Sequence, residues 1–413
     1  MSLLKGDRVL AALTVTRGIG SMAYYVYAPF FGVWLIREQS LPAAESGTVV
    51  GAFILTTRAG SILLPALVRL LGERGAVILS YAATVCLFWG MYSPGSGYPL
   101  FAWYVLSGLL GFAFSGATLA LKSFVAERVG EDKRVGAFSF LNLAVNIGAA
   151  LGPVVGGWVV TKDASILPLV ASGLQILSVF VAFSLPGGRF ELKGSRARPV
   201  GGWRPSRRFL GFVGASSLTW IAYVQLFNVF PVYAEGHLDE RVIGALFSVN
   251  AAMIILLQVP AGRALQRAWQ GKSSRLFGVH PLLLLANLCL ALSMFLFVAA
   301  RSWLWPLVFA GVILFTLSEL LWSPMYDTGV AHLRDGMNAA AAFGIVGVAW
   351  GMAEALGSSL GIALTGGSAA FSAFLLGSAA ALVAGITVYS FRVLRPGKSL
   401  VSPEASAGDG RKN

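Results

Sequence analysis

Residues 122–157 read KSFVAERVGEDKRVGAFSFLNLAVNIGAALGPVVGG, and residues 327–362 read DTGVAHLRDGMNAAAAFGIVGVAWGMAEALGSSLGI. Laid over each other without gaps, at a constant offset of 205, they coincide at Val125 and Val330, Ala126 and Ala331, Ala137 and Ala342, and Phe138 and Phe343. They coincide again at Ala150-Leu151-Gly152 and Ala355-Leu356-Gly357, and at Gly156 and Gly361. Each stretch leaves one apolar run, crosses a short polar break and enters another. An offset of half the chain therefore signals a duplication, with both copies arranged alike.

Composition says what kind of surface those copies have. Hydrophobic residues are 56% of the 413 and charged residues only 12%, about half the 25% of a soluble domain. A chain this apolar cannot cover itself with polar groups, so its surface faces lipid, and a soluble cytosolic enzyme is excluded. Apolar runs predict helices over 9–36, 46–70, 75–94, 99–125, 136–161 and 165–186. A second set follows over 209–234, 243–266, 279–300, 304–331, 339–365 and 368–391. In lipid every backbone group needs an internal partner, so these spans must be helical.

The 31 Lys and Arg outnumber the 18 Asp and Glu, and their positions exclude nucleic acid as the explanation. With both termini in the cytoplasm, 24 of the cations fall in cytoplasmic tails and loops. Four (Arg37, Lys162, Arg241, Arg301) fall outside and three (Arg17, Arg58, Lys122) within spans. The positive-inside rule selects that orientation. Residues 187–208, GGRFELKGSRARPVGGWRPSRR, carry seven cations and one acid and read as a cytoplasmic linker. The expected organisation is a six-helix bundle over 1–186, the linker 187–208, a second bundle over 209–393, and a disordered cytoplasmic tail over 394–413. The start, MSLLKGDRVLAAL, lacks a small-residue cleavage site and is read as entering the first span. Cys86 and Cys289 sit in apolar runs as core residues, and no His or Cys spacing suggests a metal.

The fifth span holds Gly148-Ala149-Ala150-Leu151-Gly152-Pro153-Val154-Val155-Gly156-Gly157. Glycines four apart give one smooth face for close backbone approach, and the proline bends the helix. Packing alone is one reading of the pattern. GxxxGPxxGG in a fifth span, after Arg134 at the preceding loop, also resembles the antiporter motif of the major facilitator superfamily. Thr316-Leu317-Ser318-Glu319-Leu320-Leu321-Trp322-Ser323-Pro324 is similar to another pattern of that superfamily, with Ser318 where glycine is usual. A third family motif, between spans 2 and 3, is degraded here. In Pro65-Ala66-Leu67-Val68-Arg69-Leu70-Leu71-Gly72-Glu73-Arg74, Gly72 and Arg74 fit, but Arg69 stands at the aspartate position. The repeat copy, Gly262 to Arg267, is degraded too. Arg69 and Arg74 are candidates for a cytoplasmic gate, with plain orientation charge as the competing reading of Arg69 and Arg267.

The resemblance covers essentially the whole chain. It implies an all-α integral membrane fold of 12 transmembrane helices, in two six-helix halves related by pseudo-twofold symmetry. It also implies alternating access around a central cavity, and an exporter.

Ionisable residues within spans are the functional candidates, because a charge at mid-bilayer costs several kcal/mol. They are sorted by half: Arg17, Arg58 and Lys122 in the first, Glu319, Asp327 and Glu354 in the second. Lys122 and Asp327 correspond at the repeat offset and read as a structural or gate ion pair, with substrate binding as the competing reading. Glu319 and Glu354, with Asp327, are candidates for proton coupling, since desolvation lets a carboxyl hold a proton near neutral pH. Structural pairing is the competing reading of each. For Arg58, binding an anionic substrate group competes with balancing a nearby acid. In the resembling family, helices 1, 7 and 11 line the cavity, which makes Tyr24, Tyr27, Tyr223, Gln225, Asn228 and Trp350 candidate contacts. Asn142 and Asn146, one turn apart in the fifth span, and Arg17 complete the candidate substrate-binding set.

No nucleotide-binding loop is present, so an ion gradient is the expected energy source. The sequence is expected to encode a proton-coupled exporter of a small amphipathic organic compound (a drug, siderophore or other metabolite). It acts as a monomer without cofactor in the bacterial inner membrane. Its partners are the substrate, protons and the bilayer. Import of an organic anion and lipid flipping are alternatives on the same fold. A membrane enzyme would need a polar catalytic cluster at one membrane face, which is missing.

Overall fold

The computed structural model describes residues 8–63, 65–92, 97–128, 131–187, 205–270, 279–302, 304, 306–333, 339–367 and 369–390. Most of the linker, all of the 394–413 tail, and the side chains of Arg69, Arg134, Arg263 and Arg267 lie outside the described residues. The helices are α1 Arg8–Arg37, α2 Ala43–Leu63, α3 Pro65–Tyr92, α4 Leu100–Arg128, α5 Glu131–Asp163 and α6 Leu167–Ala182. The second series is α7 Arg207–Ala234, α8 Glu240–Gln270, α9 Val279–Phe297, α10 Pro306–Leu333, α11 Ala339–Thr365 and α12 Ser372–Ser390. Among the described residues ten stretches are long and apolar enough to cross a membrane, and one of them, Phe140–Ala182, takes in most of α5 and all of α6. Phe101, Phe180 and Leu256 point outward, as lipid-facing side chains do.

Local chemistry sets several boundaries. Ser206 caps α7 by accepting the Phe209 amide hydrogen at 3.1 Å, which satisfies one of the free donors of a helix start. The expected break between the second and third spans falls at Gly72, whose φ of 70° and ψ of 168° are open only to a residue without Cβ. Two long helices are interrupted at matching places. Near Pro29, α1 tightens to a 3₁₀ turn over Ala28–Phe30, and before Pro231, α7 widens to a π turn over Gln225–Val229. Cys86 is exposed on α3 rather than in the core, and Cys289 is half-buried.

Two antiparallel seams join the halves, α2 against α11 and α5 against α8. Lipid supplies no hydrophobic drive between helices, so the seams depend on close backbone approach. A Cβ at Gly47 or Gly51 of α2 would run into the Ser359 or Ala355 backbone of α11. A Cβ at Gly244 of α8 would strike the Pro153 carbonyl of α5, and one at Gly157 the Glu240 carbonyl. Ser248 of α8 donates to the Ala150 carbonyl across the same seam. The remaining motif glycines, Gly148, Gly152 and Gly156, press α5 onto α1 at Met22, Tyr25 and Val26.

The packing is uneven along the molecule. At the end bearing loops 38–42 and 235–239, one core draws on both halves, with Phe30, Phe31 and Phe53 beside Phe230, Phe247 and Ile362. There Arg37 pairs with Glu240 across the halves at 3.3 Å, and Thr161 donates to the same carboxylate at 3.4 Å. In the adjacent loop, hydrogen bonds from Arg241 hold the Asp239 carboxyl below its ordinary range. At the opposite end the cores part. Leu13, Val77, Phe124 and Leu185 belong to one half, and Phe212, Leu283, Tyr326 and Val388 to the other. The halves are closed at one end and separate at the other.

Gly152→Ala places a methyl 2.6 Å from the Tyr25 Cβ and is expected to cost about 1–3 kcal/mol by overpacking. Gly173→Ala on α6 meets nothing within 4 Å and should be neutral or slightly stabilising. Thermal unfolding of the two purified variants compares them directly. An equal response would remove close approach as the reason for the glycine.

Candidate functional site

A cavity of about 670 Å³ runs between the halves, from Pro29 and Phe227 beneath the closed end toward Lys122 and Ser323 where the cores part. That volume is typical of small-molecule pockets, roughly 300–1,000 Å³. Of the residues singled out in the sequence, Arg17, Tyr24, Arg58, Lys122, Tyr223, Asn228, Glu319, Trp350 and Glu354 lie on its wall.

The centre of the site is an ion pair across the α2–α11 seam. Arg58 Nε donates to Glu354 Oε2 at 2.8 Å, and Nη2 donates to Oε1 at 3.3 Å, the two-point geometry that suits guanidinium and carboxylate. Gly351, one turn before Glu354, leaves room for the Arg58 stem, since a Cβ there would sit 2.7 Å from Arg58 Cβ. The guanidinium lies 3.9 Å from the centroid of the Trp350 ring, a cation–π contact. Trp350 stacks on Trp220 at 4.0 Å, and Trp220 meets Trp322 edge-on at 4.7 Å. Helices α7, α10 and α11 thereby share one aromatic surface on the cavity.

Glu319 is held differently. Tyr223 of α7 donates its hydroxyl hydrogen to Oε1 at 2.9 Å, and the Asn250 amide of α8 donates to Oε2 at 3.2 Å. Asn250 also donates to Thr316 at 3.0 Å, one turn before Glu319. No cation lies within 4.0 Å of Glu319 among the described residues. Its partners are neutral, so gaining or losing a proton breaks no ion pair. Glu354, by contrast, is engaged in the ion pair with Arg58.

On the facing wall, Arg17 of α1 donates from Nη1 to Thr118 Oγ1 of α4 at 2.7 Å. Thr118 passes its own hydrogen to the Phe114 carbonyl at 3.0 Å. Lys122, one turn further along α4, makes no ion pair among the described residues, and none joins it to Asp327, which is exposed on α10. The gate pair read from the sequence is not made in this open arrangement. Arg74, the other gate candidate, lies 5.7 Å from the Phe183 ring centroid.

Four candidate contacts are corrected. Tyr27 is fully buried, with its hydroxyl on Met91 Sδ at 3.3 Å and its ring against Phe31 and Phe88. It packs the closed end and does not face the cavity. Gln225 is also fully buried and donates to the carbonyls of Ile221 and Gly357, at 2.8 and 3.2 Å, tying α7 to α11. Asn142 and Asn146 are not on the wall, Asn142 being exposed and Asn146 half-buried. Conversely, Thr118 and Asn250 orient the charged groups and carry no motif that would have marked them. Among the described residues no cluster of three His, Cys, Asp or Glu is placed to hold a metal.

Against known proteins, the profile described as Major Facilitator Superfamily matches residues 13–318. The uncharacterized MFS-type transporter YqjV of Bacillus subtilis is 24% identical over 79% of this chain and 79% of its own. The multidrug resistance protein MdtH of Cronobacter sakazakii is 24% identical over 76% of each chain. A POT family transporter crystallised with 5-aminolevulinic acid superposes with a TM-score of 0.75 at 13% identity, covering 93% of this chain and 96% of that one. A D-xylose-proton symporter gives 0.71 at 14% identity, over 92% and 97%. These last two similarities establish the fold.

Removing one partner of a buried ion pair costs about 3–5 kcal/mol. Glu354→Gln should fall at the low end, because about a third of the Arg58 side chain (34%) remains exposed. The double variant Arg58→Gln, Glu354→Gln should recover most of that loss in unfolding measurements. Losses that simply add would show that the two groups are not coupled.

Proposed function

Because the chain belongs to the Major Facilitator Superfamily, we propose that it exports a small amphipathic organic compound in exchange for protons, by alternating access. The chain is a membrane transporter and not an enzyme. The observation that carries proton coupling is Glu319, a carboxyl on the cavity wall whose donors, Tyr223 and Asn250, are both neutral. It can cycle between charged and neutral forms while the Arg58–Glu354 pair keeps the two halves aligned. Aromatic rings beside polar groups suit an amphipathic drug, siderophore or other metabolite.

Export is favoured by the Gly148–Gly157 motif and by relatives named for multidrug resistance, such as MdtH. We take the membrane to be the bacterial inner membrane, with both termini cytoplasmic. The open end of the cavity then faces the cytoplasm, where an exporter loads. The moving units are 1–186 and 209–393, joined by the linker 187–208, with the 394–413 tail outside them. When the open end closes, Lys122 and Asp327 are the opposite charges that come together.

One observation favours a second reading. Arg17 and Lys122 leave the cavity with spare positive charge. An organic anion and a proton on Glu319 would stabilise each other there, and so would travel in the same direction. That is symport of an organic acid.

Inside-out vesicles with an acidic interior separate these readings. Accumulation of fluorescent cations, organic anions and iron chelators is measured for the parent protein, Glu319→Gln and Glu354→Gln. An exporter accumulates its substrate only with the gradient, and Glu319→Gln should lower that uptake about tenfold or more. Uptake indifferent to the gradient and to Glu319 would leave a facilitator without proton coupling.

A further inference from the structure

We infer that Arg17, with Thr118 behind it and Lys122 one turn away, seats the acid group of an aromatic organic anion whose rings lie on the Trp220–Trp350 surface. The inference rests on the cavity being the substrate site and holds for either direction of transport.

Charge is the first argument. The described cavity wall carries three cations, Arg17, Arg58 and Lys122, and two carboxylates, Glu319 and Glu354. Arg58 and Glu354 neutralise each other at 2.8 Å. Glu319 has two neutral donors and, among the described residues, no cation within 4.0 Å. The wall therefore keeps an excess of one positive charge when Glu319 is ionised and of two when it is protonated. A solute cation is opposed in both states, and an anion is favoured in both.

Hydrogen bonding is the second. A guanidinium has five N–H donors and accepts nothing. Arg17 gives one of them to Thr118, whose hydroxyl hydrogen is already committed to the Phe114 carbonyl. That chain fixes Thr118 as an acceptor and holds the Arg17 head group in one place, while its other donors meet no carboxylate among the described residues. Lys122 adds three further donors on the same face of α4, four residues after Thr118. An unpaired cation inside a membrane protein is costly, and a ligand carboxylate, sulfonate or phosphonate meets this demand at two points.

Geometry is the third. The seat belongs to the first half and the aromatic surface to the second, so one molecule with an acid head and a ring body contacts both moving units. Trp220 and Trp350 both line the cavity and, with the faces of Trp350 taken by Trp220 and by the Arg58 guanidinium, the stacked pair meets that body at its ring edges, the edge-to-face arrangement aromatic rings favour.

The test uses three probes with one ring system: 2-naphthoate, 2-naphthylmethanol and 2-naphthylmethylammonium. Binding to the purified full chain in nanodiscs is read by tryptophan quenching, in chloride and in gluconate. Naphthoate should bind about tenfold tighter than the alcohol or better. Arg17→Gln should remove that preference and leave alcohol binding unchanged, while Arg17→Lys restores part of it. Thr118→Val, a milder change, should weaken naphthoate alone, which guards against a misfolded Arg17 variant. Tightest binding of the ammonium probe, or an intact preference in folded Arg17→Gln, overturns the assignment. Chloride binding that depends on Arg17 without any naphthoate preference overturns it too, in favour of a resident inorganic counter-ion. Failure of all three probes to bind removes the cavity as the substrate site and the seat with it. Naphthoate binding that depends on Arg17, without gradient-driven uptake, keeps the seat and sinks only the proton coupling.

Discussion

The Arg58–Glu354 pair divides the chemistry of the cavity. An arginine at mid-membrane depth cannot shed its charge, so it needs a permanent partner, and here the partner comes from the other half of the molecule. Once Glu354 is committed to that task, Glu319 is the other carboxylate on the described wall. Its neutral donors leave it able to exchange a proton. Once Arg58 is committed, Arg17 and Lys122 supply the free positive charge. On the proposed function, one interaction thus sorts the wall's charged groups into three roles: alignment of the halves, proton exchange and attraction of a substrate.

That pair sits on a seam built for close approach. Gly47, Gly51 and Gly351 let α2 and α11 touch along their length, and Gly157 and Gly244 do the same for α5 and α8. Small residues matter because lipid gives helices no hydrophobic reason to associate. The seams hold by van der Waals contact and by single hydrogen bonds such as Ser248 to Ala150. Interfaces of this kind can tilt against each other without exposing a large apolar core. In the proposed alternating access, the shared aromatic core at the closed end, with Phe30 and Phe31 beside Phe230 and Phe247, is the part that must come apart.

The fold was legible because lipid enforces it. Apolar runs had to be helices, and the repeat at 122–157 and 327–362 gave the arrangement of the halves. The break between the second and third spans was expected from apolarity, and Gly72 is the backbone switch that places it, with a φ of 70° that an apolarity count does not register. The site was half legible. Charged residues in apolar runs stand out, so Arg17, Arg58, Glu319 and Glu354 were found, yet their pairing was not. Arg58 and Glu354 are 296 residues apart, and no pattern in either helix names the other. Tyr27 and Gln225 were misplaced because helix membership does not fix which way a side chain faces. Pro29 and the π turn at Gln225 shift the helical phase at those positions. Thr118 and Asn250 were missed because small polar residues in membrane helices usually bond their own backbone, and only the tertiary arrangement shows these two oriented toward charges.

The sorting of charge between the walls has a mechanical consequence. All three cations on the described wall come from the first half and both carboxylates from the second. In a medium of low dielectric, opposite walls attract across several ångströms, so electrostatics alone favours closing the cavity. The Arg58–Glu354 pair already satisfies part of that attraction in the open form. The remainder acts between Glu319 on one side and Arg17 and Lys122 on the other. A proton on Glu319 cancels it, and an anion between the walls replaces it. Both events change the force that draws the halves together without altering any contact in the shared core, and that is how occupancy of a small cavity can be felt by two whole bundles.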